Sequence, residues 1–171
     1  MGKSIIIYKS KTGFTKQYAE WIREELRCDI ASFDDRKKVD LYEYDTIIFS
    51  GAFYVGKING LNWFKKQLPK LEGKKLVVLA VGASAADFPD VQNTLNKNFT
   101  EEELKKVRTF YVQAGLSYEK MGVKDRFLMA GLRKMLKKQD PDSEMYKMIL
   151  KSFDASSRDF ILPLVSYCSR G

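Results

Sequence analysis

The chain has 171 residues, 44% apolar and 30% charged. That is the composition of one folded domain over residues 1–171, and it excludes a disordered chain. With no histidine, His-based triads, His metal sites and imidazole proton shuttles are excluded. Cys28 and Cys168 lack any metal-ligand spacing, so no metal is expected and both read as free thiols. The net charge of +8, from 30 basic and 22 acidic residues, favours anionic ligands or surfaces.

Ser4 to Tyr8 is too short an apolar run for a signal peptide, and no run approaches the roughly 18–20 residues of a membrane span. The expected location is the cytoplasm. Ile5-Ile6-Ile7-Tyr8 suits a strand buried on both faces. Tyr18, Ala19, Ile22 and Leu26 recur at helical spacing and predict a helix over 14–27. Further strands are predicted at 29–33, 46–50, 75–81 and 109–114. A helix is expected over 61–71, interrupted by Pro69, and another over 90–107, with Thr100 and Glu103 forming a capping box. Asp87 is a second capping candidate, before Pro89.

Strands alternating with helices predict right-handed crossovers and a doubly wound α/β fold. Its five-stranded parallel sheet would run in order 2-1-3-4-5, with helices on both faces. Ligands of such sheets sit beyond the carboxyl ends of the strands. The loops to search are therefore 9–15, 50–57 and 82–88.

The first of these, Ser10-Lys11-Thr12-Gly13-Phe14-Thr15, leads straight into a helix. Unpaired N–H groups and the helix dipole favour an anion there, hydroxyls add neutral donors, and Gly13 permits positive φ. Plain helix capping would need fewer hydroxyls. Neither a Gly-x-Gly-x-x-Gly dinucleotide motif nor a Gly-x-x-x-x-Gly-Lys-Ser/Thr loop is present.

This stretch resembles the Ser/Thr-x-Thr-Gly-x-Thr phosphate loop of flavodoxins, and the strand–helix pattern supports the resemblance over most of residues 3–118. The resemblance implies non-covalent FMN, its phosphate held by Ser10, Lys11, Thr12, Gly13, Phe14 and Thr15. It also implies ring contacts from Ala52, Phe53, Tyr54, Val55 and Gly56, and from Gly82, Ala83, Ser84 and Phe88. A lysine beside the ring, Lys57 being the candidate, would favour the negatively charged reduced flavin.

Past the fifth strand an extra basic helical segment is predicted. On a wheel for 125–138, Leu128, Met129, Leu132, Met135 and Leu136 share one arc, opposite Arg126, Arg133, Lys134, Lys137 and Lys138. Such a helix suits an anionic membrane or another anionic partner, and the expectation is peripheral contact through 125–138, with no nucleic acid. Asp140-Pro141-Asp142 ends the helix. Residues 144–153 and 158–168 are expected to be helical, the last helix kinked or shortened by Pro163.

Gly51-Ala52 and Ala114-Gly115-Leu116-Ser117-Tyr118 also resemble the menaquinone-dependent protoporphyrinogen IX dehydrogenase branch of flavodoxin-like proteins. That branch carries an arginine where Ser117 stands, in a turn one residue longer. The resemblance implies an FMN redox protein, dehydrogenase or electron carrier, working with a redox partner or an anionic small-molecule substrate. A non-enzymatic module binding another phosphate ligand or a protein stays open.

Overall fold

The computed structural model describes residues 2–87 and 90–170. Strand β1 (Ser4–Lys9) lies at its centre with Ile5, Ile6 and Ile7 buried, because a strand flanked on both edges and covered on both faces has no solvent side. Helix α1 (Phe14–Leu26) buries Tyr18, Ala19, Ile22 and Leu26, as their spacing predicts. It stops where Arg27 turns left-handed, at φ 50°.

β2 (Asp29–Ser32), β3 (Thr46–Tyr54), β4 (Lys57–Ile58), α2 (Leu61–Lys65) and β5 (Lys75–Gly82) follow. Then come α3 (Val91–Asn96), α4 (Glu101–Lys106) and β6 (Val107–Gln113). The long strands are all parallel, in order β2-β1-β3-β5-β6. Counted without the two-residue β4, this is the expected 2-1-3-4-5 order. One face packs Phe49 on Phe64, Leu68 and Leu95; the other packs Leu79 and Ile48 on Tyr18, Ile22 and Leu164.

The remaining chain forms an appendage: β7 (Gly115–Leu116), α5 (Val123–Gln139), α6 (Glu144–Met148) and β8 (Phe153–Asp154), then α7 (Leu162–Ser169) back on the sheet. β7 and β8 pair antiparallel. A third cluster joins Leu116, Met129 and Ile149 with Tyr54, Leu132 and Leu136.

Several expectations are corrected. Residues 50–54 are not a loop, because β3 runs on through Tyr54 and turns into β4 as a hairpin. The 90–107 helix is two short helices, the second opened by the predicted Thr100–Glu103 capping box. α3 starts at Val91 with Asp90 as its N-cap residue, so the cap is not Asp87. Helix 144–153 ends at Met148, and Phe153 belongs to β8. Of the kink or shortening expected at Pro163, the structure has the shortening: Arg158–Ile161 is a 3-10 turn and α7 begins at Leu162, with Pro163 in its first turn, where an N–H has no intrahelical partner to lose. The arc predicted for 125–138 is split. Met129, Leu132 and Leu136 pack inward, whereas Leu128 and Met135 are about half exposed.

Candidate functional site

β1 delivers the chain into the Ser10–Thr12 turn and then into thirteen-residue α1. Gly13 is the N-cap residue at φ 100°, a left-handed conformation natural to glycine. No side chain caps this helix. Its first bond runs from the Gln17 N–H to the Gly13 carbonyl at 3.0 Å, so the N–H groups of Phe14, Thr15 and Lys16 lie ahead of the ladder. Ser10 Oγ instead accepts the Gly13 N–H at 3.1 Å, closing the turn. The hydroxyls are thus not ordinary caps, and the helix start stays open to an anion. Thr15 is buried, and Lys120 Nζ stands 3.8 Å from where a Cβ on Gly13 would lie.

Next to this turn opens a cleft. Lys11, Thr12, Phe14 and Thr15 line its phosphate-turn end, Ala52, Phe53 and Tyr54 one wall, and Val81, Gly82 and Ala83 the strand end beside it. The appendage closes it with Ala114, Leu116, Ser117, Met121 and Asp125. Phe53 stands edge-on to Tyr111 at 5.8 Å, and the Tyr111 hydroxyl donates to the Ser84 carbonyl at 2.7 Å. Any Cβ at Gly82 would collide with that tyrosine, so glycine is required there. Burial pushes the Tyr111 hydroxyl far above its usual range, keeping it a neutral donor. Tyr54 packs against the appendage cluster, and its hydroxyl reaches the Asp125 carbonyl at 3.4 Å. Burial first, then the Asp125 carboxylate, raises its pKa.

Lys11, Thr12, Phe14, Thr15, Ala52, Phe53, Tyr54, Gly82 and Ala83 therefore share one cleft. Gly13 borders an adjoining groove with Gln17, Lys120 and Asp154, and Ser10 acts through the turn. Val55 and Gly56 form a two-residue hairpin tip with φ 47° and 73°, outside the cleft lining. Asn98 holds that tip, its Nδ2 donating to the Gly56 carbonyl at 2.9 Å while Oδ1 accepts the Ile58 N–H at 3.3 Å. Ser84 contributes its carbonyl to Tyr111 and lies off the lining. Exposed Lys57 on β4 also lies off it. Phe88 falls outside the described residues.

Met121 and Asp125 had no sequence signal, because they reach the cleft only by docking of the appendage. Ser117 and Leu116 were legible as a turn, though not as cleft lining. Among the described residues no group of acidic, cysteine or histidine side chains is arranged to hold a metal ion.

The sequence model of a family described as Flavodoxin domain matches residues 5–143. No curated protein sequence matches the chain. A WrbA-like flavodoxin structure from Agrobacterium tumefaciens is 19% identical, covering 73% of this chain and 88% of its own, with a TM-score of 0.47. A Lactobacillus acidophilus flavoprotein in complex with FMN is 17% identical over 66% of this chain and 93% of its own, TM-score 0.42. A Fusobacterium nucleatum flavodoxin bound to flavin mononucleotide is 20% identical over 70% and 73%, TM-score 0.42.

Proposed function

The chain belongs to the flavodoxin domain family, and from that membership we propose that it holds FMN non-covalently in the cleft beside α1 and acts as a redox protein. The observation that carries this is the uncapped start of α1 at left-handed Gly13, opening beside an apolar slot. The residues present fit the group. The N–H groups ahead of the α1 ladder, with Thr12 and Thr15, suit a phosphate, and Lys120 adds positive charge near it.

Phe53 and Ala52 on one side and Leu116 and Met121 on the other give apolar contact for a flat ring and exclude water. The backbone at Gly82 and Ala83, clear of bulky side chains, suits the polar edge of the ring. Bound FMN would supply the electron-transfer chemistry.

Within this function we infer a dehydrogenase working on an anionic substrate, of protoporphyrinogen type, with a quinone as acceptor. The +8 charge and Lys120 beside the cleft support it. Ser117 favours the second reading, a carrier taking electrons from a reductase, because it lines the cleft where the dehydrogenase branch has arginine.

Titration with FMN, followed by quenching of flavin fluorescence, tests the premise: saturable binding is expected, and a protein that neither retains nor takes up FMN sinks it. With FMN loaded, quinone-dependent oxidation of protoporphyrinogen supports the dehydrogenase. Reduction by a flavodoxin reductase without that oxidation assigns the carrier role instead.

A further inference from the structure

Helix α5 has two unlike faces. Inward, Met129, Leu132 and Leu136 join the appendage core, and Asp125 lines the cleft and pairs with Lys11. Outward, Val123 is 72% and Phe127 76% exposed, with Leu128 and Met135 half exposed beside them. At about 100° per residue, Val123, Phe127 and Gly131 follow one another up the helix, and Lys124, Lys134 and Lys138 fall within the same arc. No acidic residue occurs from Arg126 to Gln139.

We propose that this outward face seats the protein on an anionic lipid bilayer, with Phe127, Val123, Leu128 and Met135 entering the headgroup boundary and the three lysines meeting lipid phosphates. Charge complementarity selects this occupant. A second copy packed about a two-fold axis would set lysines against lysines. An anionic bilayer supplies an apolar interior and a negative surface together, and lysine stems extend so that their ammonium groups stay at that surface. The helix would lie on the membrane, for no described helix is long and apolar enough to cross one. Because the inward face of the same helix closes the cleft, docking brings the cleft close to the bilayer. The inference stands whether or not the cleft holds FMN.

The test is flotation of the full chain with vesicles of equal parts phosphatidylglycerol and phosphatidylcholine, and with phosphatidylcholine alone. The wild type is expected to float with the anionic vesicles only, and less at high salt. Phe127→Asp should lower partitioning at least ~tenfold without changing the thermal melt, since the ring is solvent-exposed. The triple change of Lys124, Lys134 and Lys138 to Gln should weaken binding and flatten its salt dependence. Absence of wild-type binding, or unchanged partitioning of Phe127→Asp, overturns the proposal. So does a dimer that Phe127→Asp dissolves in a wild type that ignores vesicles, which would make the occupant a second copy.

Discussion

Lys11 and Asp125, 114 positions apart, meet at the cleft: the Lys11 ammonium stands 3.0 Å and 3.1 Å from the two carboxylate oxygens. The pair joins the turn ahead of α1 to the start of α5, the sheet's ligand-side loop to the appendage. Asp125 is largely shielded and Lys11 half exposed, so the pair is worth ~1 kcal/mol or less. Asp125→Asn should therefore lower Tm by no more than about 2–4 °C. Its larger effect should be local, as faster amide exchange over 123–139. Exchange there equal to wild type would mean that the ion pair does not hold α5 down.

Gly13 and Lys120 test how the phosphate end works. Alanine at a φ of 100° strains the backbone by ~1–2 kcal/mol, tilting the N–H groups away from an anion. Gly13→Ala should thus erase most of the preference for FMN over riboflavin in fluorescence titrations. Lys120→Ala should reduce the same preference several-fold and make it less sensitive to salt, by loss of a charge near the turn. Riboflavin affinity should hold in both. If riboflavin binding falls in parallel with FMN binding, the residues act on the fold rather than on the phosphate.

How far the fold was readable follows from where each signal resides. β1, β3 and β5 are continuous apolar runs because both faces of a central parallel strand are covered, and that is a local property. The Ser10–Thr15 turn is equally local. The hairpin after β3 was hidden because its tip is Val55-Gly56, where the usual signal is Asn-Gly, and a β-branched residue at positive φ contradicts the pattern. The α5 arc misled for another reason: this helix is apolar on more than one face, and periodicity does not say which face finds a partner. Met121 and Asp125 come to the cleft through contacts far apart in sequence, which no local pattern encodes.

The hairpin tip makes predictions of opposite sign. Asn98 Nδ2 donates to the carbonyls of Gly56, Thr94 and Leu95, at 2.9, 3.1 and 3.2 Å. Asn98→Asp turns that donor into an acceptor facing three carbonyls and should cost about 1–3 kcal/mol in urea unfolding. Val55→Asn relieves a β-branched side chain at positive φ and should stabilise by up to ~1 kcal/mol. A shift of both midpoints in the same direction would contradict the hairpin geometry.

Glu103 governs part of the acid limb. Burial opposes its ionisation, but the Lys65 ammonium at 2.8 Å and the Thr100 capping bonds outweigh it and hold the carboxyl below its ordinary pKa. A pKa lowered by folding stabilises above the unfolded value of about 4.3, and that contribution is lost as pH falls through the folded value. Glu103→Gln should accordingly be less stable than wild type at pH 7, with the gap closing in more acid solution. Urea midpoints across the acid range measure it, and a gap that widens as pH falls would reverse the sign.

Cys28 and Cys168 do the converse on the alkaline side. Both thiols are free and buried, and burial pushes each up to about 11. Thiolate is the reactive form, so native protein should label slowly with a disulfide reagent at neutral pH, and fast once unfolded in urea. A pKa raised by folding stabilises fully below the unfolded value of about 8.5, and that contribution is lost as pH rises through 11. The Cys28→Ala/Cys168→Ala protein should be less stable than wild type at pH 7, because it leaves small cavities against Ile22 and Leu164 in the core facing α1. That deficit should shrink as pH rises past 9, since only the wild type then has thiols to ionise. Rapid labelling of the native protein would show that the two side chains reach solvent, and a pH-independent deficit would show that folding does not shift the two thiol pKa values.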